Sequence, residues 1–268
     1  DCELLLDTKK INADEKIRLA SLSIGVMIPD TFMELAEKNE TAYAFYPHSV
    51  FKKYGVHLDE IDMNEWYLKL ANDKDIKKKE INPRQMLTRI AQTQQESGYP
   101  YVIYIDTANK EHILKDLGKI KMSNLCCEIF QYQTPSDING YGGDNNWGQD
   151  ISCNLGSLNI VNVMDNKDIE KTVSTAIKAL TFVSDNTNIE KVPTVKKGNE
   201  ASHSIGLGAM NLHGYLVREG ISYTSKEAID FVNVFFALIR YYAIKTSMEI
   251  AIDKKKTFVG FEKSEYSK

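Results

Sequence analysis

Apolar residues recur along this chain with two periods, and the alternation between those periods sketches its elements. Leu22 to Ile28 (LSIGVMI) is a short apolar run halted by Pro29-Asp30, the pattern of a buried strand. A helix is predicted from Thr31 to Lys38, with Phe32, Leu35 and Ala36 on one face and Asp30 as its cap. Asn82-Pro83 opens a stronger helix whose stripe is Met86, Leu87, Ile90 and Ala91, and Gly98 ends it. Tyr101 to Ile105 (YVIYI) follows as a strand. Another strand is predicted around Cys126, then a polar, glycine-rich loop from Thr134 to Gly148, then an extended stretch from Ile151 to Val163.

The last hundred residues read as helical. Apolar positions repeat at Ile169, Val173, Ile177, Leu180 and Val183, and Val192-Pro193 lies in the break beyond them. A second helix is predicted over about Ser204 to Arg218, ending at Gly220. Thr224 with Glu227 three residues later has the form of a capping box before a long amphipathic helix from Lys226 to about Asp253. Strands alternating with helices predict an α/β fold with a largely parallel sheet or barrel. No internal repeat and no Pro/Gly/Ser-rich linker divides residues 1–268, so a single domain is expected.

Composition narrows the function classes. The 268 residues are 43% hydrophobic and 26% charged, ordinary values for a globular protein, with a net charge of −4. That balance gives no electrostatic reason to expect nucleic acid or a membrane surface as partner. Lys77 to Lys79 and Lys254 to Lys256 sit beside acidic residues and read as solvated element ends. No segment approaches the roughly 20 apolar residues of a membrane span. Four cysteines, at 2, 126, 127 and 153, fit neither a dense disulfide framework nor paired CxxC zinc spacing, and no two of the five histidines have zincin spacing. No bound metal is expected, and a reducing cytoplasm is the natural compartment. The chain starts without Met and reads as an excised piece.

The candidate chemistry lies in Asn124-Leu125-Cys126-Cys127-Glu128-Ile129. On a strand, Asn124, Cys126 and Glu128 would share one face at roughly 6 to 7 Å spacing, while Leu125, Cys127 and Ile129 face the core. A carboxylate two residues from a thiol can take a proton from a bound substrate, and an amide two residues before it can orient a hydroxyl. Cys153, on what reads as a neighbouring strand, is a second thiol. Cys2 and Cys127 read as small buried hydrophobes and His213 as a helical residue beside the core. Gly206-Leu207-Gly208 resembles part of a dinucleotide fingerprint, but Asn211 holds the third glycine position, and close packing at a helix start is the expected reading.

Several motifs occur in a fixed order: Met122 to Ile129, Asp150 to Asn159 (DISCNLGSLN), Ser204 to Leu216 (SIGLGAMNLHGYL), the opening Leu6-Asp7-Thr8-Lys9-Lys10, and Glu96 to Tyr101 (ESGYPY). Together they resemble the large (alpha) subunit of class I ribonucleotide reductase, the class Ib branch in particular, over essentially the whole chain. The resemblance implies an incomplete part of a ten-stranded α/β barrel with a helical C-terminal portion, truncated at both ends. It implies reduction of ribonucleoside diphosphates to 2′-deoxyribonucleoside diphosphates by a thiyl-radical mechanism in the complete subunit. Cys126 would become the thiyl radical, on a loop inside the barrel, and Glu128 would act as general base on the 3′ hydroxyl. Asn124, with Ser123 and Glu128, would hold the substrate, and Cys153 would be one redox-active thiol.

The same resemblance implies partners outside the chain. A small (beta) subunit carrying an iron or manganese dimetal centre would supply the radical, and a glutaredoxin- or thioredoxin-like dithiol would return the electrons. Nucleotide effectors (dNTP and ATP) would bind parts absent here, and the full-length subunit would be a homodimer. Cys2 does not match the position of the other redox cysteine, and Cys127 stands where serine is common in close relatives. The isolated chain is expected to be inactive. The alternatives are a split or truncated piece that acts only with complementary fragments, a non-catalytic α/β scaffold in which Cys126 and Glu128 are merely buried, and a cobalamin-dependent class II relative.

Overall fold

A computed structural model describes residues 2–268, which divide into two compact units, 2–133 and 134–268. Each unit is built around a parallel pair of strands.

The first unit begins with helix α1 (Cys2–Asp7) and strand β1 (Gly25–Ile28), followed by α2 (Asp30–Lys38) and β2 (Ala42–Phe45). Helices α3 (Pro47–Tyr54) and α4 (Met63–Asn72), strand β3 (Lys78–Ile81), α5 (Pro83–Ser97), β4 (Tyr101–Tyr104) and α6 (Ile105–Glu111) complete it. Strand β4 lies parallel to β1 in the register Gly25 to Tyr101 and Ile28 to Tyr104, and β2 pairs antiparallel with β3. Helix α5 forms as the sequence predicts: Asn82 Oδ1 accepts from the Gln85 amide at 2.9 Å, Pro83 takes the first turn, and Gly98 at φ +78° closes the end. Its core face is Met86, Leu87 and Ile90, which meet Leu6 of α1 and Ile28 of β1. Ala91 is exposed and buried Thr93 takes its place on the stripe. A second small core gathers Val50, Leu70 and Ile76 under Phe45, Tyr54 and Trp66.

In the second unit the polar loop ahead of the first strand is pinned by a bridge in which Asp137 and Asn146 exchange both backbone hydrogen bonds, at 2.8 and 3.0 Å. Then come β5 (Leu155–Asn159), α7 (Ile160–Asn166), α8 (Ile169–Asn186), α9 (Pro193–Ser202), β6 (Gly206–Met210), α10 (Leu212–Arg218) and α11 (Lys226–Lys254). Strands β5 and β6 run parallel from Leu155 with Gly206 to Asn159 with Met210. Val173 and Ile177 of α8, Leu216 of α10 and Phe235 and Ile239 of α11 close the core over this pair.

Several expectations change. The extended stretch expected from Ile151 to Val163 is a strand only over Leu155–Asn159, and it ends there because Asn159 accepts from the Val161 amide and caps α7. Residues 206–210 form β6 rather than the start of a helix: Gly206 packs so closely on β5 that a Cβ there would lie 2.6 Å from Leu155 Cδ2. Helix α9 occupies what reads as a break, with Pro193 in its first turn. The cap of α11 is Ser225, not Thr224, and its Oγ accepts from the Ala228 amide at 3.1 Å. Asp30 is the first residue of α2 and does not cap it; its amide instead donates to Asp106 Oδ2 at 2.7 Å. His213 is exposed, edge-on to Tyr223. Cys2 is exposed rather than buried. No described helix is long and apolar enough to cross a membrane.

Candidate active site

The segment from Ser123 to Ile129 is a turn, not a strand, and the reason is a set of local hydrogen bonds that outcompetes any ladder. The Asn124 carbonyl accepts from the Cys127 amide at 3.0 Å, and Asn124 Oδ1 accepts from the Ile129 amide at 3.0 Å. Ser123 Oγ donates to the Ile129 carbonyl at 2.6 Å, so the two ends of the turn are tied twice. Cys127 takes φ +62°, the left-handed region, which breaks the side-chain alternation a strand would impose. Leu125, expected in the core, is 70% exposed, and Cys126 and Glu128 are exposed as well. Ser123, Asn124, Cys126 and Glu128 are thus gathered on one tight turn rather than along one sheet face.

That turn lies beside the start of the β1–β4 pair. A Cβ placed on Gly25 would meet Cys127 Sγ at 3.4 Å, and Gly25 is paired with Tyr101. Burial, then Glu128, then Cys126 push the Cys127 thiol above its ordinary range. Tyr101 is also raised, first by Tyr99, then by burial, with smaller contributions from Cys126 and Cys127. The two tyrosine rings are 5.2 Å apart, Tyr99 hydroxyl is 2.8 Å from Ser23 Oγ, and buried Lys9 sets its ammonium 4.5 Å from the Tyr99 ring. Sequence reading used Tyr99, Tyr101 and Lys9 only as members of matching motifs and gave none of them, nor Ser23, a place beside this turn. The available signal was the i, i+2 spacing of the two tyrosines at a strand entrance.

Cys153 belongs to the second unit, on the extended lead into β5. Its neighbours Ser152 and Asn154 turn inward to Asn199 of α9, at 2.9 and 3.0 Å from Asn199 Oδ1, while Cys153 itself is exposed. All four cysteines are outside disulfides. Among the described residues no group of three or more His, Cys, Asp or Glu side chains could hold a metal ion.

The sequence profile described as "Ribonucleotide reductase, barrel domain" matches residues 1–268. The chain belongs to that family. Among curated ribonucleotide reductase relatives, the "Ribonucleoside-diphosphate reductase subunit alpha" of Bacillus subtilis (strain 168) is 51% identical over all of this chain and 38% of its own length. The protein of the same name from Mycoplasma pneumoniae is 44% identical over all of this chain and 37% of its own length. The one from Synechocystis sp. is 31% identical, again across the whole chain and 34% of the relative. The chain therefore spans less than two-fifths of the length of these ribonucleotide reductase subunits. The mixed helices and strands of both units, with parallel pairs at β1–β4 and β5–β6, agree with a ribonucleotide reductase barrel domain.

Proposed function

We propose that this chain works as the central part of a ribonucleoside-diphosphate reductase α subunit, of the class Ib branch, and supplies its radical cysteine. The observation that carries the reading is the tied turn that exposes Cys126 between Asn124 and Glu128, in a chain that matches the family over its full length. Cys126, as a thiyl radical, takes the hydrogen from C3′ of the ribose. Glu128 accepts the 3′ hydroxyl proton, a role that suits an exposed carboxylate two residues away. Asn124, with Ser123, shapes the turn and holds the ribose hydroxyls beside the thiol. Cys153 and a second cysteine outside this chain give up two electrons and two protons as they form a disulfide. The 2′ C–O bond breaks, the oxygen leaves as water and C2′ gains a hydrogen; Glu128 then gives its proton back to the 3′ oxygen and Cys126 returns the hydrogen to C3′, regenerating the thiyl radical, so the reaction balances.

In this reading residues 1–268 form one stretch of a ten-stranded barrel domain that the rest of the subunit completes. The apolar residues left exposed on α11, among them Phe236, Met248 and Ile252, support it, because a helix apolar on more than one face belongs inside a larger core. The proposed partners are a ribonucleoside diphosphate substrate, a dimetal β subunit that supplies the radical, and a thioredoxin- or glutaredoxin-like dithiol. Nucleotide effectors and a second α subunit engage parts of the subunit outside these residues. The 268 residues alone are inactive in this proposal.

The test is Cys126→Ser in the complete subunit. Turnover is expected to vanish while nucleotide binding persists; appreciable turnover would remove Cys126 from the mechanism. Alkylation of Cys126 with and without substrate nucleotide separates this reading from a scaffold role, since a merely structural thiol gains no protection from substrate.

A further inference from the structure

Cys153 sits in a segment whose two flanking residues are both held by one buried side chain. Asn199, 5% exposed on α9, accepts at Oδ1 from Ser152 Oγ at 2.9 Å, from Asn154 Nδ2 at 3.0 Å and from Ser184 Oγ at 3.0 Å. Its Nδ2 donates to the Ser184 carbonyl at 2.8 Å, which fixes the amide from the α8 side. Ser152 is 3% exposed and Asn154 also reaches the Ser204 carbonyl at 3.3 Å. Two residues before Ser152, the Asp150 amide donates to the Thr194 carbonyl at 3.0 Å, and Gly198 presses its backbone against Asp150. The pattern is an extended strap with residues i−1 and i+1 drawn inward and the thiol between them turned out.

We infer that Asn199 is a positioning residue for Cys153. The inference rests on the redox role proposed above for Cys153. A disulfide forms only within a narrow window of Cα separation and dihedral angle, so a thiol that must close and reopen a bridge gains from a fixed backbone. Asn199 supplies that fixity through Ser152 and Asn154, and a buried amide serving this many partners cannot be replaced by an apolar side chain without orphaning them. The purpose is to present Cys153 for oxidation by two electrons, paired with the second cysteine of the complete subunit, and for its later re-reduction by an external dithiol.

The experiment uses the complete subunit equilibrated with glutathione redox buffers, with the Cys153 disulfide quantified by peptide mass spectrometry. Asn199→Ala is expected to lower the disulfide equilibrium constant by on the order of tenfold, a shift of about 30 mV for a two-electron couple. Turnover should fall through kcat with KM for the nucleotide unchanged. Two milder variants guard against simple loss of folding. Ser152→Ala cuts one of the two ties to the Cys153 strap, whereas Ser184→Ala removes a partner on the opposite side of Asn199 and leaves both ties in place. A potential shift in Ser152→Ala but not Ser184→Ala supports positioning. An unchanged potential in Ser152→Ala and Asn199→Ala, or equal shifts in both serine variants, overturns it. Cys153→Ser tests the underlying reading separately: sustained turnover in that variant would remove Cys153 from the redox pair, whatever Asn199 does.

Discussion

Replacing Gly198 with alanine sets two opposing effects against each other, and the structure decides the sign. Gly198 lies inside α9, where alanine is ordinarily better than glycine by about 1 kcal/mol. Its backbone is helical, so no left-handed conformation is lost. Yet a Cβ at this position would stand 1.8 Å from the Asp150 carbonyl oxygen and 2.9 Å from its carbon. Ordinary contact needs about 3.5 Å, and the obstacle is backbone, which cannot swing aside as a side-chain end can. The strap must move away from α9, stretching the Asp150 amide's 3.0 Å bond to Thr194 and the Ser152 tie to Asn199. Overpacking of this kind costs roughly 1–3 kcal/mol, and a weakened buried hydrogen bond about 1 kcal/mol more.

The expected net result is a protein less stable by about 1–3 kcal/mol, seen as a lowered denaturant midpoint with an unchanged slope. Faster alkylation of Cys153 should accompany it. Gly206→Ala is the control: the atom its Cβ meets, at 2.6 Å, is the end of a Leu155 side chain that is 54% exposed and can rotate out. It should cost less than Gly198→Ala. A Gly198→Ala protein as stable as the parent, or more stable, would refute the close seating of the strap.

Three further outcomes follow from individual groups. Burial holds the His112 and His203 imidazoles below their ordinary pKa, against a smaller opposing pull from Asp185 on His203, so the unfolded chain binds more protons than the folded one just below about pH 6.5. Stability should therefore fall as pH drops through that value and level off below the folded pKa values; a His112→Asn/His203→Asn double variant with an undiminished loss would contradict this. Ser225→Ala removes the α11 cap and should cost about 1 kcal/mol by denaturant unfolding, whereas Thr224→Ala should cost little. The raised Cys127 thiol should reach half-maximal alkylation above about pH 8.5, and a midpoint at or below that value would show that burial beside Gly25 is overstated.

What the sequence disclosed, and what it hid, divides along one physical line. Helices with a local start signal were legible: Asn82-Pro83 and Gly98 bound α5, and the apolar repeat from Ile169 marks α8, because capping and periodicity are properties of a few adjacent residues. Strand β6 was not, since Gly206-Leu207-Gly208 becomes a strand only through β5, which lies some fifty residues upstream. Helix α9 was hidden for a related reason: its buried face is Gly198 and Asn199, a glycine and a polar residue that no apolar count registers. The residues proposed as the site could be singled out from the sequence, but the geometry of their turn could not, because an alternation argument has no term for Asn124 bonding its own neighbours.

The turn is also a better platform for the proposed chemistry than the strand the alternation predicted. In a sheet the backbone around Cys126 would be committed to neighbouring strands and one face of the row would be covered. Here Asn124 satisfies two backbone amides within six residues, through its carbonyl and its Oδ1, so the turn is held by its own atoms and leaves Cys126 exposed. The cost is Cys127 in the left-handed region, a conformation worth on the order of 1–2 kcal/mol against a β-carbon-bearing residue. Such strain persists where surrounding contacts over-determine it, and the ties from Ser123 and Asn124 to Ile129 do so on both sides of the residue. For the radical thiol proposed above, a corner locked by its own side chains would present Cys126 to substrate without borrowing rigidity from a sheet.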